Sequence, residues 1–251
     1  MTTRSDDASV AAEAQQARER LCVALDVPTL AEAVDLARAV AADVGVVKVG
    51  LELFVKHGPE AVHQLTALGF RVFLDLKLHD IPATVQRATR SAITLGASYL
   101  TLHASGGPAM LEAASRAVSE AKSPLNLLAV TVLTSHSAAE LSQLGIEQGV
   151  ALHAERLARL AVAAGARGLV CSVEELSTFR QSLGPQSLLV TPGIRPEGSA
   201  HGDQARVGTP LQAIRRGASL LVVGRPIRDA ERPEAAARAI RLEIQRALTA
   251  A

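Results

Sequence analysis

Short apolar runs recur along this chain, most of them roughly 25–30 residues apart, each followed by a stretch with helical spacing. The runs are Leu21-Cys-Val-Ala-Leu-Asp26, Val46-Val-Lys-Val-Gly50, Arg71 to Lys77, Ser98 to His103, Asn126 to Val132, Gly168 to Ser172, Ser187 to Thr191 and Ala218 to Gly224. They are nearly continuous rather than alternating, as parallel strands covered on both faces must be. Eight strand–helix units in about 230 residues predict a single-domain (β/α)8 TIM barrel over residues 21–251. Residues 1–20 read as a polar, Ala-rich tail or extra helix with no catalytic content. A doubly wound open sheet would also alternate strands and helices, but no Gly-x-Gly-x-x-Gly follows the first strand. Between the strands, helices are expected from Leu30 to Ala41, from the second strand to about Leu68, from Thr84 to Leu95, over 150–164, from Val173 to Gln181 and from Pro233 to Leu248. Gly45, Gly69, Gly96, Gly165 and Gly217 are read as helix stops at the end of the barrel where strands begin.

Composition narrows the class. Forty-eight per cent hydrophobic residues supply a large core, and a formal charge of +1 gives no surface for nucleic acid or an anionic membrane. No run reaches the roughly 18 apolar residues of a membrane span, and Met1-Thr-Thr-Arg-Ser-Asp-Asp leads into no apolar signal segment. The two cysteines, Cys22 and Cys171, lie in apolar runs and read as buried small hydrophobes. These features predict a cytoplasmic protein.

In such a barrel, chemistry sits where the strands end. Asp26, Lys48, Asp75, Lys77, His103, Thr134, Arg195 and Arg225 are expected on that rim. The densest stretch is Phe73-Leu-Asp-Leu-Lys-Leu-His-Asp-Ile-Pro-Ala-Thr84. Asp75 and Lys77, two apart on a strand, leave the same face. Asp80 follows where the strand has ended, because Pro82 keeps Ile81 out of a helix. The chain has only four lysines, Lys48, Lys56, Lys77 and Lys122, and two of them stand at strand ends. Lysine can shift its pKa and lose a proton where arginine effectively cannot. Gly193 and Gly224 follow strands seven and eight, where barrels often bind phosphate on backbone N–H groups, and Arg225 adds a forked cation. The long segment after strand seven, with Arg195 and Gln204, has the length of a lid.

These residues carry a family resemblance. Asp75-Leu-Lys-Leu-His-Asp-Ile-Pro-Ala-Thr84 resembles the Asp-x-Lys-x-x-Asp-Ile-Pro-x-Thr signature of the orotidine 5′-phosphate decarboxylases, in their bacterial form. Thr131-Val-Leu-Thr134, Pro192-Gly-Ile-Arg-Pro196, Gly202-Asp-Gln204 and Val223-Gly-Arg-Pro226 resemble further motifs of that family in the same order, and the likeness covers about residues 21–245. The resemblance implies decarboxylation of orotidine 5′-phosphate to UMP with no cofactor and no metal. It implies that Lys77, Asp75, Asp80 and Lys48 form the catalytic charge row. It further implies that Asp26, Lys48, Asp80, Ile81, Thr84, Thr134, Arg195, Gln204, Gly224 and Arg225 bind the substrate. Finally, it implies a homodimer in which Asp80, Ile81 and Thr84 reach into the partner's site. Two other readings are available. The sugar-phosphate decarboxylases and aldolases of the same barrel group, such as the 3-keto-gulonate 6-phosphate decarboxylases, share Asp-x-Lys-x-x-Asp. They need Mg2+ and an acid where this chain has Lys48, and Ile81-Pro82 stands in place of their Gly-containing turn. A non-catalytic nucleotide-monophosphate sensor would need the phosphate clamp but not the Asp75–Lys77 pair.

Overall fold

The computed structural model describes residues 3–196 and 208–249, with side chains described from residue 11 onward. Eight parallel strands close into a barrel: β1 Leu21–Ala24, β2 Val46–Val49, β3 Arg71–Leu78, β4 Tyr99–His103, β5 Asn126–Val130, β6 Gly168–Val170, β7 Leu188–Thr191 and β8 Leu220–Val223. Each strand pairs with the next, and β8 pairs with β1 through Cys22↔Val222 and Val23↔Val223, so no edge remains. The predicted TIM barrel is therefore the fold.

The alternation of side chains along each strand divides the core in two. Cys22, Ala24, Val46, Phe73, Tyr99, Leu128, Val190, Leu220 and Val222 pack together inside the barrel. Their strand neighbours, among them Val23, Val47, Val72, Leu74 and Leu100, pack outward against the helices. This parity positions the site. Two residues beyond Val46 and Phe73 on the same inward column lie Lys48 and Asp75, so the charges form the layer above the apolar filling. Both cysteines are unpaired and buried, and burial holds both thiols protonated.

Several expectations shift in detail. The helix expected after β2 is two, Leu51–His57 and Pro59–Ala67, broken at Gly58, whose φ of 55° only glycine adopts readily. The helix after β3 begins at Pro82, two residues before Thr84, because Pro suits a first helical position. The helix after β6 is Leu176–Leu183, later than expected, since Glu175 folds back to accept from the Ser172 N–H at 2.8 Å and holds a turn there. Short helices Ala138–Gln143 and Arg225–Arg228 follow β5 and β8; their apolar periodicity is too brief to read in sequence.

Residues Thr3–Glu19 form a helix beneath the barrel floor. It packs on the last helix, Pro233–Thr249, and buries Ala17 completely. Gly45 is tied to this helix and is not a helix stop with positive φ, unlike Gly69, Gly96, Gly165 and Gly217. Its N–H donates to the Arg18 carbonyl at 2.9 Å, and a Cβ there would lie 2.9 Å from that same oxygen. Backbone cannot yield as a side-chain tip can, so Gly45→Ala is expected to destabilise the protein by roughly 1–3 kcal/mol. Thermal unfolding measures this as a lower midpoint; an unchanged midpoint would mean that the helix is not held at Gly45.

Candidate active site

At the strands' C-terminal end opens a cavity of about 540 Å3. Asp26, Lys48, Asp75 and Lys77 line one side, on the ends of β1 to β3. Val130, Val132, Leu133 and Val170 form an apolar wall with Thr134, and Gly193, Arg195, Gly224, Arg225 and Arg228 lie on the β7–β8 side.

The charges on the first side form an unbroken row. Lys48 Nζ donates to Asp26 Oδ1 at 2.9 Å and lies 3.6 Å from Asp75 Oδ2. Lys77 Nζ donates to both oxygens of Asp75 at 2.8 Å each. Lys48 and Asp75 are each only 9% exposed. Burial alone would discharge both. It presses the Lys48 pKa down, but Asp75 and Asp26 outweigh it and hold the ammonium above the usual lysine range. Burial likewise raises the Asp75 pKa, yet Lys48 and Lys77 prevail and hold the carboxyl below the usual range. Gly50 makes room for the row, since a Cβ there would sit 2.9 Å from Asp26 Oδ1 and 3.0 Å from Lys48 Nζ.

Lys77 itself departs from strand geometry. Its φ is 50°, in the left-handed region, where a non-glycine residue costs roughly 1–2 kcal/mol. The cause is a bulge: the β3–β4 register runs Leu74↔Leu100 and then Leu78↔Leu102. Thr101, wholly buried on β4, meets the bulge; its Oγ1 accepts from the Lys77 N–H at 2.9 Å and donates to Asp75 Oδ1 at 2.9 Å. Sequence reasoning passed over Thr101, and the only available signal was its place two residues before His103 in an otherwise apolar strand.

On the other side, Arg195 is buried, with Nη1 donating to the Ile194 carbonyl at 2.9 Å. Gly193 has a φ of 77°, the conformation that turns the chain sharply after β7. Arg228, also unforeseen, pairs with Asp229 and donates from Nη1 to the Asp26 carbonyl at 2.9 Å, which joins the two sides of the mouth across the β8–β1 seam. Thr134 is half-buried in the wall.

Three predicted residues do not enter their own cavity. Asp80 is exposed and its Oδ1 accepts from the Ile81 N–H at 2.6 Å; it makes no ion pair among the described residues, so within one chain the row ends at Lys77. Ile81 is 66% exposed, and Thr84 is half-buried on the first turn of helix Pro82–Thr94. Gln204 lies outside the described residues. His103 ends β4 and stacks at 5.5 Å on His79; burial, with His79 and Lys77 nearby, holds its pKa below the usual histidine range. Among the described residues, no group of three or more His, Cys, Asp or Glu side chains is arranged to hold a metal ion.

Residues 19–240 match the model of the orotidine 5′-phosphate decarboxylase / HUMPS family. The chain belongs to that family. Curated orotidine 5′-phosphate decarboxylases resemble it closely: one from Anaeromyxobacter sp. (strain K) is 56% identical over 222 residues, 88% of this chain and 96% of that protein. Another, from Moorella thermoacetica, is 48% identical over 235 residues, 91% of this chain and 93% of that protein. The crystal structure of orotidine 5′-phosphate decarboxylase from Lactobacillus acidophilus superposes with a TM-score of 0.80 at 36% identity, covering 90% of this chain and 99% of that one. The signature that prompted the resemblance in sequence thus belongs to a chain that is a member of the decarboxylase family along most of its length.

The paired charges have a pH consequence. Asp75 has a depressed pKa, so its contribution to stability is present above the unfolded value of about 3.8 and vanishes as pH falls through the native pKa. Lys48 has a raised pKa, so its contribution is present below the unfolded value of about 10.5 and vanishes as pH rises through the native pKa. Asp75→Asn, which leaves Lys48 and Lys77 facing each other across a neutral amide, is expected to lose about 3 kcal/mol at neutral pH. Urea unfolding at stepped pH should show this loss as a plateau through neutrality that closes only in acid. A difference that persists unchanged below both acid pKa values would contradict the pairing.

Proposed function

We propose that this chain decarboxylates orotidine 5′-phosphate to UMP and CO2 without a cofactor, the last step of de novo pyrimidine nucleotide synthesis. Membership of the family supports the reading, as do relatives of that name at 46–56% identity over most of both chains. The observation that carries it is the Lys77 ammonium, 2.8 Å from a buried carboxylate, at the edge of an apolar-walled cavity with arginines opposite.

The chemistry asks for such a site. The bond from the pyrimidine ring carbon to its carboxylate breaks, CO2 departs, and the electron pair stays on that carbon in the plane of the ring. The ring offers no electron sink, so the surroundings must stabilise the charge. In our reading Lys77 lies beside the developing carbanion, stabilises it and delivers the proton that completes UMP; water then restores the ammonium. Asp75 faces the departing carboxylate, and their repulsion is relieved as CO2 leaves. Lys48, itself paired with Asp26, holds Asp75, and Lys48 and Asp26 meet the ribose hydroxyls. Arg225, with the backbone at Gly193 and Gly224, receives the phosphate beside Arg195, and Thr134 contacts the pyrimidine edge; Gln204, expected from the resemblance to bind the substrate, lies outside the described residues. Binding energy from the distant phosphate can then be used at the reacting carbon. The two buried, unpaired cysteines are in keeping with a cytoplasmic enzyme.

The rival chemistry within the family is Mg2+-dependent and calls for an acid at the end of β2, where this chain holds Lys48 in two ion pairs. The assay that separates the two is turnover of orotidine 5′-phosphate, following CO2 and UMP, after exhaustive chelation. Equal amounts of both products at an undiminished rate are expected. Loss of activity with EDTA and its return with Mg2+ would favour the sugar-phosphate decarboxylase reading. Binding of UMP without turnover would leave a sensor.

We further propose a two-fold homodimer in which Asp80, Ile81 and Thr84 complete the partner's site. The support is that these residues do not line their own cavity and that Ile81 is an exposed apolar side chain on a charged rim. A two-fold interface exchanges such contributions reciprocally. Lys77→Ala and Asp80→Ala homodimers should each be nearly inactive, whereas a re-associated equal mixture should regain about a quarter of wild-type activity, because half the dimers are mixed and half their sites are whole. No recovery despite subunit exchange, followed with two distinguishable tags, would mean that Asp80 acts within its own chain.

A further inference from the structure

We propose that Thr101 is a positioning residue for Lys77: its hydroxyl bridges the Lys77 amide and the Asp75 carboxylate, and so fixes the left-handed backbone that aims the ammonium into the cavity. The inference rests on the decarboxylase reading above.

The argument begins at the bulge. Between Leu74↔Leu100 and Leu78↔Leu102, β3 advances four residues while β4 advances two. A regular ladder would give the Lys77 N–H a carbonyl of β4; here it goes to Thr101 Oγ1 at 2.9 Å. A hydroxyl has one hydrogen and can accept while it donates. With Oγ1 accepting from the amide, its hydrogen is directed to Asp75 Oδ1, also 2.9 Å away. The same Asp75 oxygen accepts from Lys77 Nζ at 2.8 Å, so backbone, carboxylate and ammonium close a ring through one buried side chain. The ring lets a lysine hold a φ of 50°. In an ordinary extended conformation the Lys77 side chain would leave the strand in another direction. Valine keeps the shape of threonine and can make neither bond, whereas serine keeps both and gives up only a methyl group.

The test is steady-state turnover of orotidine 5′-phosphate by Thr101→Val and Thr101→Ser across pH, with UMP binding and thermal unfolding alongside. Thr101→Val is expected to lower kcat by on the order of tenfold to a hundredfold, as small misplacements of a reacting group do, with KM changed far less. Thr101→Ser should retain most of kcat. Lys48 and Lys77 are the cations facing Asp75, with His103 at the end of β4 nearby. Thr101 is one of the donors that hold the Asp75 carboxyl down, so the acid limb of kcat/KM should move to higher pH in the valine variant. Should Thr101→Val fail to fold, Thr101→Cys, a weak donor and acceptor of similar size, takes its place with the same expectations. A kcat within about twofold of wild type, a serine variant as impaired as the valine one, or an unmoved acid limb would each overturn the role of Thr101. In those cases wild-type turnover still stands; its absence would instead remove the reading beneath.

Discussion

The carboxylate of Asp75 is the point on which the site depends. It is nearly as buried as the apolar residues below it, and a lone carboxylate in that position would take up a proton. Lys48, Lys77 and Thr101 together keep it ionised. The barrel supplies the arrangement, because every second residue of each strand faces inward. On the inward-facing positions of β2 to β4, Val46, Phe73 and Tyr99 are each followed two residues on by a polar group, Lys48, Asp75 and Thr101. An apolar floor thus raises the strength of every charge placed on it.

The cavity is electrically divided. Alternating acid and base occupy β1 to β3, and guanidiniums occupy the ends of β7 and β8. Arg228 joins the halves by holding the Asp26 carbonyl. A ligand with an anionic phosphate at one end and a carboxylate at the other would find cations at both, whereas among the described residues carboxylates line the cavity on the β1–β3 side alone, at Asp26 and Asp75. In our proposal that asymmetry directs binding to one end and chemistry to the other.

Much of this is legible in the sequence. Apolar runs at a steady interval fix strands because strand interiors tolerate little else, and the i, i+2 spacing of Asp75 and Lys77 predicts their contact. The contact exists, yet its backbone differs from a plain strand, since the register shift between β3 and β4 depends on how two strands meet and leaves no periodic mark. Thr101 was missed for the same reason: a threonine in a strand is ordinary, and only the opposing bulge gives its hydroxyl two partners. Gly45 was read as a helix stop because a glycine before a strand usually is one; its actual constraint comes from the helix Thr3–Glu19, far away in sequence. Arg228 stands one helical turn beyond Arg225 in a helix too short to announce itself.

The central claim is that the charge row performs the chemistry while other parts of the cavity hold the ligand. Lys77→Ala tests it most directly, with UMP affinity measured by calorimetry beside single-turnover decarboxylation of orotidine 5′-phosphate. The account predicts UMP binding close to wild type and a chemical step slowed by at least about a thousandfold, the scale of losing both an electrostatic stabiliser and a general acid. Near-normal decarboxylation in that variant would contradict it.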